Sequence, residues 1–175
     1  SGYGAGCANT TGSLNTSYGQ FSMRGNSTGT ENTASGYQAL CTNTTASYNT
    51  AFGSRALRLN TTASQNTAFG GCTLYANTTG AQNTGIGYQA LKANTCGGCN
   101  TAVGKAALTT NTTGSYNTAV GKDVMFSTTT GSLNTASGYR ALLANTTASY
   151  NTGYGAYALT ANTTGAKNTT VGAQA

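Results

Sequence analysis

The dipeptide Asn-Thr recurs at Asn15, Asn32, Asn49, Asn66, Asn83, Asn100, Asn117, Asn134, Asn151 and Asn168, a step of 17 residues held without a slip through a chain of 175. A short fixed period without insertions specifies a solenoid, in which each copy takes an equivalent place in a linear stack and touches chiefly its neighbours. The unit reads N-T-A-x-G-x-x-A-L-x-x-N-T-T-G/A-x-x. Residues 1–175 are therefore expected to form one tandem-repeat array, and function is to be sought on the faces of a rod.

Only 6% of the residues are charged, Pro, Trp and His are absent, and Gly supplies 25 positions. Low complexity of this kind suits disorder, but a disordered tract has no reason to keep a phase over ten units. Hydrophobic residues make up 37% and many are Ala. The core must be thin, and backbone hydrogen bonds between rungs must contribute heavily.

Sorting residues by position in the unit, counted from the opening Asn, assigns the faces. The fifth position is Gly throughout, including Gly36, Gly53, Gly70 and Gly104. It reads as a corner, since Gly takes positive φ freely and lets another backbone approach. Leu40, Leu57, Leu74, Leu91 and Leu108 at the ninth position form the main inward stripe, with Ala at the third as a second. The fourth position mixes Phe52, Phe69, Ile86 and Val103 with Ser and Tyr, as a half-buried stripe or protomer interface would. Asn32, Asn49 and Asn66 open their units, and Asn43, Asn60 and Asn77 hold the twelfth position. Stacked amides of this kind form ladders or turns.

Charges fall only at the sixth, seventh, tenth and seventeenth positions. Those columns must face outward, because an unpaired charge is expelled from a dry interior. Tyr37, Tyr88 and Tyr139, with Lys105 and Lys122, share the sixth column and are candidate contacts for a partner, with ring packing along the rod as the alternative. The expected fold is all-β: a parallel β-solenoid or β-roll, one repeat per rung, about ten rungs and roughly 45 to 50 Å long. Each rung should hold a strand at positions two to four, a Gly corner, a second strand at eight to ten, and an Asn-Thr-Thr-Gly return loop. The first and last copies share one phase, so uncapped ends and axial continuation are expected.

The runs Asn32-Thr33-Ala34-Ser35-Gly36-Tyr37-Gln38-Ala39-Leu40 and Asn100-Thr101-Ala102-Val103-Gly104, with Ala107-Leu108, resemble the repeats of bacteriophage tail fibres and of the heads of trimeric autotransporter adhesins. The resemblance covers the whole chain. It implies a left-handed parallel β-roll, commonly three chains about one axis, serving as an adhesive or receptor-binding shaft. The repeat here is longer than in the adhesin heads, so a trimer, a single-chain solenoid and an end-to-end filament all stay open.

Catalysis finds no support in a chain without His and with only Glu31 and Asp123 as carboxylates. No cofactor is implied. Five Cys include Cys96-Gly97-Gly98-Cys99, where a disulfide across the return loop is the leading expectation and a zinc site is disfavoured for want of further ligands. Sequons such as Asn43 and Asn60 arise from the repeat itself, and an amide used in a ladder cannot carry a glycan. The net charge of +6 could favour an anionic partner. Basic clusters and nucleic-acid motifs are missing, so no nucleic-acid partner is expected. No apolar run is long enough to span a membrane. The expectation is a structural fibre protein, outside the cell or on a virion surface, that assembles with itself. The alternatives are a shaft binding a receptor or surface glycan and, less favoured because its Thr runs flank Asn turns, an ice-binding rod.

Overall fold

A computed structural model describes residues 2–175. Ten three-residue strands run from β1 (Thr16–Tyr18) to β10 (Thr169–Val171), each covering positions two to four of a repeat. They form one parallel sheet in chain order. Like sits opposite like: Thr50 pairs with Thr67, Ala51 with Ala68, Phe52 with Phe69. The chain is an all-β parallel solenoid with one repeat per coil, and no helix occurs among the described residues.

The strand forms where β-branched Thr precedes a small residue that fits inside. Successive side chains point to opposite faces of a strand, so Ala51 is buried while Thr50 and Phe52 face out. The same alternation puts the fourth column on the outer face. Once Ala turns inward its neighbour must turn outward, and Phe52 and Phe69 are 49% and 53% exposed and stack on each other with ring centroids 4.9 Å apart.

The fifth-position Gly ends each strand. Gly104 has φ of 133°, and a Cβ there would lie 2.3 Å from the carbonyl oxygen of Gly121 in the next coil. Two requirements coincide at this column: a conformation that L side chains rarely adopt, and contact between backbones of successive coils.

The second strand expected at positions eight to ten is not formed. In its place the chain makes two consecutive turns, closed by hydrogen bonds such as Ala56 N–H to Gly53 O and Asn60 N–H to Leu57 O. Positions seven and nine take left-handed backbone conformations, with Arg55 at φ 59° and Leu57 at φ 50°. Each left-handed residue turns its N–H to an opposite end of the rod. Arg55 N–H donates back to Tyr37 O at 2.8 Å, whereas Leu57 N–H donates forward to Thr73 O at 3.0 Å. A ladder between coils thus persists without β dihedrals. The conformation costs an L residue about 1 to 2 kcal/mol, and full burial of a Leu side chain returns roughly 1.5 to 3 kcal/mol. From Met23 to Leu159 the ninth column therefore holds Leu or Met at positions where Gly, present at Gly6 with φ 59°, would fit the backbone better.

The core is a single file. Leu57, Leu74, Leu91 and Leu108 are fully buried against Ala of the third and eighth columns. One departure is compensated locally: the eighth position of one coil is Thr73, and the third position of the next is Gly85 instead of Ala. A Cβ on Gly85 would lie 2.6 Å from the Thr73 methyl.

Candidate functional site

The interior is closed to ligands by its own polar columns. Asn100 illustrates the first of these: its Nδ2 donates to Gly114 O at 2.9 Å across the coil, and its Oδ1 accepts the backbone N–H of Asn117 at 2.9 Å in the next. The twelfth column links amide to amide, Asn43 Nδ2 to Asn26 Oδ1, Asn60 to Asn43 and Asn77 to Asn60. Neither column takes the left-handed conformation that turn-forming Asn often adopts. Left-handed residues sit instead at positions seven, nine and seventeen. The sequon residues Asn43, Asn60, Asn77, Asn111 and Asn145 are fully buried, so the folded rod offers none of these amides for glycosylation.

Thr128 interrupts the twelfth-column ladder. Its hydroxyl and the Oδ1 of Asn111 are both buried without a hydrogen-bond partner. A further ladder went unread in the sequence: Ser115 Oγ accepts Gly98 N–H, and Ser132 Oγ accepts Ser115 N–H. Its signal was present in the frequent Ser of the sixteenth position, although Ala and Gly interrupt that column.

Three outer sides remain, the strand side, the turn side and a third at the return loop and the seventeenth position, and the first two differ most in chemistry. The strand side shows the uninterrupted second-position Thr and the apolar fourth column, and carries no charge. These Thr lie on the strand itself, not only beside the turns. The turn side bears columns six, seven and ten, with seven of the eight cations and only Asp123 as a counter-charge. Tyr37, Tyr88, Lys105 and Lys122 are exposed there, and Tyr139 is half-buried.

On that side cations and rings are interleaved. Arg55 lies 5.8 Å from the Tyr37 ring, Arg58 5.6 Å from Tyr75, and Lys122 and Arg140 lie 5.4 and 5.1 Å from Tyr139. Each contact is worth about 0.5 to 1 kcal/mol at an exposed site. Tyr139 also packs edge to face with Tyr157 at 5.2 Å. Tyr37, Tyr88 and Tyr139 are three coils apart and do not touch one another. Asp123 lies 3.8 Å from Lys122 and 3.9 Å from Arg140. The Nε atoms of Arg58 and Arg140 are shielded from solvent and have no hydrogen-bond partner.

The five cysteines, Cys96 and Cys99 among them, stand as free thiols. Cys96 is exposed on the return loop, whereas Cys99, left-handed at φ 57°, donates to Gln82 Oε1 in the preceding coil at 3.3 Å. Burial raises the Cys41 pKa, against the opposing pull of Arg58 and Arg24. On the third side, a hydrogen bond to the Glu31 carboxylate and its negative charge raise the pKa of Tyr48. No cluster of three His, Cys, Asp or Glu that could hold a metal occurs among the described residues, and none of their helices is long and apolar enough to cross a membrane. The chain matches no protein-family model, no curated protein and no solved structure.

Proposed function

We propose that this chain is a structural fibre protein, a length of β-rod that builds an extracellular or virion-surface filament by stacking coil upon coil. The observation that carries the reading is the translational identity of the coils. Strand pairs from Thr16↔Thr33 to Thr169↔Thr152 keep one register, so the backbone on the upper face of one coil is complementary to that on the lower face of another. A second copy of the chain can continue the ladder with the contacts already used inside it, and homo-oligomeric growth along the axis needs no new surface. The resemblance to tail-fibre and adhesin repeats agrees with this role.

Electron microscopy and sedimentation over a range of concentrations test the reading. Rods that lengthen with concentration, and fibre diffraction with a reflection near 4.8 Å along the axis, are expected. Compact particles of one length at every concentration would overturn it.

A further inference from the structure

We propose that the turn side carries a binding groove for a linear acidic polysaccharide, with its floor at Thr109 and its walls at Tyr75 and Phe126. The proposal is independent of whether rods grow by stacking. It starts from the tenth column, which runs Tyr75, Lys92, Thr109, Phe126, Leu143. Thr109 is the short member and is 9% exposed, so the ridge made by this column dips between its neighbours. The dip is a cavity of about 480 Å³ lined by Tyr75, Gln89, Lys92, Ala93, Thr109 and Phe126. Tyr75 and Phe126 stand three coils apart, about 14 Å at strand spacing.

Beyond Phe126 lies a second cavity of about 340 Å³, lined by Asp123, Ser127, Arg140 and Leu143. Phe126 is the shared wall, and the two cavities follow one another along the rod. An axial track of this shape suits a linear chain better than a compact molecule. Rings at the walls offer apolar surface to the faces of pyranose rings, and the small floor lets those rings approach the backbone. The Gln89 amide and the Ser127 hydroxyl supply the few oriented polar groups that such sites use.

Charge selects the acidic class. Lys92 is exposed and makes no ion pair among the described residues. Arg58 donates from its guanidinium to the hydroxyl of the wall residue Tyr75, and at the far end of the track the single carboxylate, Asp123, is outnumbered by Lys122 at 3.8 Å and Arg140 at 3.9 Å. The spacing of charge separates polysaccharide from nucleic acid. Seven cations from Arg24 to Arg140 are spread over seven coil steps, about one per 5 Å. A duplex presents a charge every ~1.7 Å, far denser than this face can neutralise. One carboxylate per sugar along a polyuronate is a closer match.

Isothermal titration of the whole chain with an octagalacturonate tests the proposal, with maltooctaose and a 20-nucleotide oligo-dT as the comparison ligands. Saturable binding of the polyuronate is expected, weakened about 10-fold by Lys92→Gln and by Phe126→Ala. Thr109→Trp, which fills the groove, should abolish it. Tyr48→Ala on the third side should leave it unchanged. Phe126 and Lys92 are exposed, so those variants decide the matter if circular dichroism finds Thr109→Trp misfolded. Absence of polyuronate binding at millimolar concentration, equal affinity for maltooctaose, tighter binding of oligo-dT, or groove variants that bind like the wild type would each overturn the proposal.

Discussion

The strand side and the turn side of each coil carry the same axial ladder on different backbones. On the strand side, Thr-Ala-x lies extended and pairs with its equals. On the turn side, left-handed residues at positions seven and nine send their N–H groups to opposite ends of the rod. The first arrangement needs particular residue types. The second is held by what surrounds it, and accepts Gly, Phe, Gln, Arg, Cys, Ala, Asp or Tyr at its seventh position, which is half-buried in most coils. That tolerance is what lets one side vary in charge and ring content while the other stays uncharged.

The corner joining the two sides should be the most sensitive point. Gly104→Ala places a Cβ 2.3 Å from a backbone oxygen at φ 133°. The loss expected is about 4 kcal/mol or more, beyond the usual range for a single substitution, and chemical denaturation read by circular dichroism would measure it. A loss below about 1 kcal/mol would mean that successive coils separate easily at the corner.

Asn100→Ala ranks next, because it empties a buried site and orphans the N–H of Asn117. About 3 kcal/mol of destabilisation is expected, with faster amide hydrogen exchange at Asn117 than at Asn134. Gly85→Ala should cost about 2 kcal/mol through its clash with the Thr73 methyl. The double variant with Thr73→Ala should recover most of that. Additive losses in the double-mutant cycle would refute the compensation.

Thr128→Asn is expected to stabilise by about 1 to 2 kcal/mol, since it offers Asn111 Oδ1 a donor and restores the amide column. A lower melting temperature would count against the ladder as a source of stability. The smallest effect contrasts the two sides directly. Gln38→Gly, at a left-handed turn-side position with φ 54°, should be neutral or stabilising by up to about 1 kcal/mol. Thr50→Gly on the strand should cost about 1 kcal/mol. Equal responses in paired melting curves would mean that the two backbones do not differ in what they ask of a side chain.

Much of this was legible in the sequence for one physical reason. A column repeated at every coil reports its environment ten times over, so Leu57 and its equivalents declared a core, Gly104 a corner, and the charged columns a surface. Thr-Ala-x announced its strand through β propensity and alternation. The turn side misled because Ala-Leu has no residue that advertises a left-handed conformation, and the strain on Leu57 is offset by burial, a term that sequence propensity does not contain. The groove at Thr109 was hidden for a related reason. A short residue in a variable column acquires meaning only when the rings of Tyr75 and Phe126, 34 and 17 residues from Thr109 in the same column, are known to stand in line with it.

By itself the sequence determined that the chain repeats every 17 residues, that each repeat is one coil of a parallel solenoid, and which positions face in or out. Periodicity carries that information because equivalent positions meet equivalent surroundings. Only the tertiary structure decided how the coil closes, with two turns in place of a second strand, because left-handed residues are chosen by ladder bonds between coils. It also decided that the sequon amides of the inner coils are buried, and that cations and rings gather along one side. Those outcomes depend on which side chains lie one coil above or below, a distance of about 4.8 Å in space that the chain reaches only after a full turn.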